Sequence, residues 1–155
     1  MSETFESETF EFEEEQLRKM GDAVLLTTIL AAVHQDGIIQ PEERAEAIKQ
    51  THIRSFSSEE YLKPIYEDVD DRFERDFDAY NSQLPPDYEG KEKFIQERLT
   101  ESMAVLDELG PVFSALFSKN LKSLYNRVFN AGSNVFQLFA FPLLSAHLEK
   151  ATKNK

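Results

Sequence analysis

From Glu13 to Val128 the apolar residues of this 155-residue chain recur three to five positions apart, in runs broken mainly by Gly and Pro. That spacing places them on one face of an α-helix. A half-buried strand would instead need strict alternation, which no stretch between turn signals shows. Leu17, Met20, Val24, Ile29 and Val33 predict a helix from about Glu13 to Gln35, stopped by Asp36-Gly37. Pro41 suits the first turn of a second helix, to about His52, because that turn needs no N–H from it.

"SSEE", Ser57 to Glu60, reads as a capping box opening another helix, with Pro64 dividing a short first turn from a longer run to about Tyr80. Tyr66, Val69, Phe73, Phe77 and Tyr80 form one aromatic stripe along it. "QLPPDYEG" is a loop, a fourth helix reaches Leu109, and Gly110-Pro111 supplies both a stop and the next start. Phe113 to Val128 continue as a fifth helix, broken at "NAGSN". Beyond it Pro142 leaves two arrangements: a kinked helix resuming at Ser133, or, as preferred, an apolar segment "VFQLFAF" on the core with a last helix from Phe141. The expectation is all-α, a single compact domain of about six helices over residues 13–155.

Residues 1–12 are expected to be a separate arm, acidic and Phe-bearing, with "SETFE" twice and no base before Arg18. Self-repulsion favours solvation of such a run, whereas Phe5, Phe10 and Phe12 favour docking in the same domain or a neighbour. The whole chain carries −12, which argues against nucleic acid, since phosphate binding needs clustered Lys and Arg. Yet residues 111–155 hold six bases and one acid, hence +5, leaving −17 to residues 1–110. This split reads as a basic portion docked on an acidic one, or as a partner-binding surface.

With no Cys there is no disulfide, thiolate ligand or Cys nucleophile. The acidic N-terminus lacks the pattern of a secretory signal, and "AVLLTTILAAV", Ala23 to Val33, is too short to span a bilayer. A cytoplasmic protein is expected, with that stretch as a core helix.

The turn "HQDGIIQPEE", His34 to Glu43, contains Asp-Gly-Ile-Ile and a later Glu, the second half of an EF-hand calcium loop. The first half is missing, because its two earlier ligand positions fall on Ala32 and His34. Two carboxylates and one carbonyl serve a hard cation poorly, so the ordinary calcium loop is discarded. The same residues also work without an ion: Gly37 ends one helix, Asp36 supports the turn, and Glu43 meets free N–H groups of the next. A weaker divalent-cation site of Asp36 with Glu42 or Glu43 stays open, and no other cofactor is expected.

"LAAVHQDGIIQPEE", Leu30 to Glu43, resembles the first hairpin of the tellurite-resistance TerB-like family of small all-helical domains. The resemblance implies non-enzymatic work in a bacterial stress or metal-resistance system, binding metal ions or a protein partner, often beside membrane proteins. It implies Asp36 and Glu43 as metal ligands, with Glu42 adjacent. A second, related hairpin would fall at Arg127 to Lys150, where Asp-Gly is absent. The alternative is a metal-free helical adaptor or homo-oligomer using the acidic arm or the apolar C-terminal segment.

Nothing else points to chemistry. "EDVDDRFERDFD", Glu67 to Asp78, reads as a solvated helix face with Asp68–Arg72 and Asp71–Arg75 pairs. His34, His52 and His147 lack zinc-ligand spacing and read as surface or turn residues.

Overall fold

A computed structural model describes residues 11–131, the side chain of Asp36 excepted. Phe5, Phe10, the Gly132 turn, "VFQLFAF", Pro142 and His147 lie outside the described residues. All regular structure among the described residues is helical: α1 Glu14–Asp36, α2 Pro41–Ser57, α3 Lys63–Asp70, α4 Phe73–Gln83, α5 Tyr88–Met103, the single turn α6 Leu106–Leu109, and α7 Pro111–Phe129. No helix among them is long and apolar enough to cross a membrane.

α1 is the centre of the fold. Every residue from Ala23 to Val33 is buried, Met20 with them, so the helix has no outer face over that span. A helix apolar all round must be enclosed, and α5, α7 and α3 pack on it most heavily, α4 and α2 less. Thr28 tolerates this position because its hydroxyl donates to the Leu25 carbonyl at 2.7 Å. At the start, the Glu13 N–H donates to Gln16 Oε1 at 2.9 Å in a capping box.

The aromatic stripe is present: Tyr66, Val69, Phe73 and Phe77 are buried and Tyr80 packs at its edge. Phe113 stacks on Phe117 with centroids 5.8 Å apart. Each such ring contributes about 2 kcal/mol over an exposed one. Phe12 closes the arm against this cluster, its ring centroid 5.2 Å from that of Phe113, while Gln16 Nε2 donates to Glu108 Oε1 at 3.0 Å.

Four sequence expectations need correction. The second helix continues past His52 to Ser57, and "SSEE" is no capping box: the Ser57 hydroxyl donates back to the Ile53 carbonyl at 2.8 Å. Serine hydroxyls there satisfy the end of α2, leaving α3 to start at Lys63 with Pro64 in its first turn. The run to Tyr80 is two helices, divided at Asp71-Arg72, and the fourth helix likewise stops at Met103 before α6.

The break has a cause in Arg72, whose side chain is only 8% exposed rather than solvated. Its guanidinium meets Asp22 at 3.1 Å, Asp76 at 2.7 Å and Asp68 at 3.4 Å, and donates to the Arg18 carbonyl at 3.1 Å. It fits because Gly21 has no side chain: a Cβ there would lie 2.5 Å from Arg72 Nη2. Of the two expected helix pairs, Asp68–Arg72 forms, whereas Arg75 turns to Asp76 at 3.1 Å.

Candidate functional site

The end of α1 and the start of α2 form the turn singled out in the sequence. Gly37 takes φ 88°, ψ −12°, the left-handed conformation that suits glycine, and its N–H donates to the Val33 carbonyl at 2.7 Å. The Gly37 carbonyl accepts from Lys91 Nζ of α5 at 2.8 Å, a cation at the negative end of the helix. Four residues on, Pro41 opens α2.

Glu43 is fully buried, and its Oε1 accepts the Gln40 N–H at 2.8 Å while the Gln40 side chain accepts from the Glu43 N–H. This is the capping role expected of a carboxylate at the third helical position. Glu42, next to it, is exposed. Asp36 closes α1 at the other side of the turn, its side chain outside the description. The backbone therefore brings Asp36 and Glu43 to one turn but separates Glu42 from Glu43. Among the described residues no three His, Cys, Asp or Glu side chains converge as a ligand set.

His34 is not a surface residue. Its side chain is 4% exposed, with Nε2 2.8 Å from Glu92 Oε2 and Nδ1 2.6 Å from the Tyr125 hydroxyl. Burial pushes the Tyr125 hydroxyl well above its ordinary pKa, with Tyr88 and Glu92 adding to the shift, so it stays protonated. A protonated phenol either donates to Nδ1 of a neutral ring whose Nε2–H faces Glu92 or accepts from Nδ1–H of a charged one, and each ring nitrogen has a partner in both cases. Both ring nitrogens are thereby committed, and Tyr125 is itself buried. The triad binds α1, α5 and α7 together and presents no lone pair to a substrate.

What the turn presents outward is apolar. Ile38 is 57% exposed and Tyr88 42% exposed. The Tyr88 ring lies against Gly37, 3.8 Å from where a Cβ would stand. A shallow groove of about 450 Å³ begins at Ile39 and Gln40 and runs between Pro41, Ala45 and Ile48. Arg44 at its side is held by Asp78 through two hydrogen bonds of 3.0 and 2.9 Å.

No family model, no curated protein and no solved structure matches the chain.

Sequence reasoning found the turn and the cap but missed the triad and Lys91. Tyr125 and Glu92 lie 91 and 58 positions from His34, and no local spacing links residues so far apart. The one available signal was position, since His34 follows the apolar run Ile29 to Val33 and stands two residues before the Asp36-Gly37 stop.

Proposed function

We propose that this protein is a non-enzymatic helical binding domain, TerB-like in its first hairpin, which holds a protein partner over the α1–α2 turn. The observation that carries this reading is the exposure of Ile38 and Tyr88 at a turn held from within: Glu43 caps α2 through Oε1, Lys91 meets the last carbonyl, and His34 is enclosed. Apolar side chains presented on a turn pinned by these hydrogen bonds, with a groove beside them, suit contact with another protein. Support for the TerB-like relationship is the hairpin at Leu30 to Glu43 with its Asp-Gly stop and Pro start. The same reading places the protein in the cytoplasm, within a bacterial stress or metal-resistance system and near membrane proteins.

A photo-crosslinking residue at position 38 should trap a discrete adduct in cells, and one at the exposed position 97 of α5 should not. Tyr88→Ser should abolish the adduct at 38. Equal trapping at both positions, or an adduct indifferent to Tyr88, overturns the reading.

A second reading keeps the divalent cation, favoured by a fully buried Glu43 at the same turn as Asp36. The described donors fit it poorly, because Glu43 Oε1 and the Gly37 carbonyl both hold protein hydrogens. Calorimetric titration of calcium, magnesium and zinc decides it: heat of binding in wild type that is lost in Asp36→Asn restores the site, and its absence removes it.

A further inference from the structure

We propose that the outer face of α7 is a docking surface for an acidic peptide segment, occupied by this chain's own N-terminal arm, residues 1–11. α7 contains no acid, and Lys119, Lys122 and Arg127 are all exposed. At 3.6 residues per turn these cations flank a single stripe that also carries Val112, Ser123 and Asn130. None of the ion pairs among the described residues engages them. Arg54 of α2 extends the positive strip at its border, donating to Ser123 Oγ at 3.3 Å. In a chain of net charge −12, this is a local reversal of sign turned to solvent.

Charge, place and length select the occupant. Residues 1–11 carry Glu3, Glu6, Glu8 and Glu11 and no Lys or Arg. Phe12, packed on Phe113, fixes the arm's root at the start of α7, where Val112 is 68% exposed. From Phe113 to Arg127 the helix rises about 21 Å, and eleven extended residues reach about 35 Å, so the arm can run the whole strip. Along the other route, the first turn of α1 presents exposed Glu14 and Glu15, which repel it. The repeated "SETFE" sets Phe5 and Phe10 five residues apart with acids between, offering rings to exposed Val112 and Ala115 and carboxylates to the cations. Another acidic partner could reach α7 only by displacing the arm.

The chain has no Cys, so introduced pairs report without background. Ser7→Cys with Ser123→Cys places one thiol in the arm and one on the stripe. Ser7→Cys with Ser82→Cys, exposed at the far end of α4, is the collision control. In dilute full-length protein under mild oxidation, the first pair should close an intramolecular disulfide roughly tenfold faster than the control, as several surface ion pairs acting together would give. High salt, or Lys119→Glu with Lys122→Glu, should remove that advantage. Equal rates for the two pairs, no closure, or a closure rate unmoved by salt and charge reversal would overturn the proposal. A disulfide-linked dimer would also overturn it, and would give the strip to the arm of a second copy.

Discussion

Beside Gly21, early in α1, a guanidinium from the break between α3 and α4 is enclosed by three aspartates. Beside Gly37, at the end of the same helix, a histidine and a glutamate are buried and an ammonium meets the last carbonyl. Both places join α1 to its neighbours with polar groups in a largely apolar interior. They differ in what lies outside. Around Arg72 the charges are shared among carboxylates of α1, α3 and α4, with no large exposed apolar side chain among the described residues there. Around the turn, Ile38 and Tyr88 stand out into solvent. Burying polar groups is costly wherever it happens, so one polar cluster that only joins helices and another that also supports an apolar rim point to different uses. The first serves assembly of the fold, and the second, on the proposed function, serves assembly plus contact.

Replacing Arg72 by Met should break this contrast most severely. It leaves Asp22 and Asp76 without their cation in a half-buried setting, at a cost of about 3 kcal/mol, measurable by urea denaturation. Glu43→Ala should cost about 1–2 kcal/mol in the same assay, through loss of the cap that holds the Gln40 N–H. Tyr125→Phe should cost about 1 kcal/mol, one buried hydrogen bond, while keeping the ring that stacks on Phe129.

Acid separates the two places without mutation at the turn. Burial works against ionisation of Asp76, but hydrogen bonds from Arg72 and Arg75 prevail and hold its pKa below the ordinary 3.8. Its contribution is therefore complete above that value and is lost as pH falls through the lower folded one. Burial instead raises the pKa of Asp22, so that group acts in the opposite sense. Asp76→Asn should accordingly lose less stability than wild type as pH falls below the ordinary 3.8. The smallest effect belongs to the rim: Ile38→Asp should move stability by no more than about 0.5 kcal/mol while abolishing partner contact, which a thermal melt paired with crosslinking will show.

The parts of this architecture that are local were readable in advance. Asp36-Gly37 and Pro41 bracket a turn of a few residues, Glu43 sits three positions into a helix, and the stripe from Tyr66 to Phe77 repeats at helical spacing. Each depends on neighbours within a turn or two of chain. Arg72 illustrates what was not readable. By period it belongs with Asp68 and Asp76 on a polar face, and it turns inward only because Gly21, fifty-one positions earlier, leaves room for it. Ser57 misled for a related reason, since a Ser can bond to helix carbonyls as readily as to N–H groups, and only the length of α2 decides which. His34 likewise owes its burial to side chains from α5 and α7 that no spacing announces.

The enclosure of α1 also has a consequence in time. On the ribosome this helix precedes α7, one of its two largest covers, by about ninety residues, which at about 5–20 residues per second is a wait of roughly 5–18 s. During that interval α2, α3, α4 and α5 can already cover part of the stretch from Ala23 to Val33, but the face that α7 buries stays open, and it is there that a chaperone has most to shield.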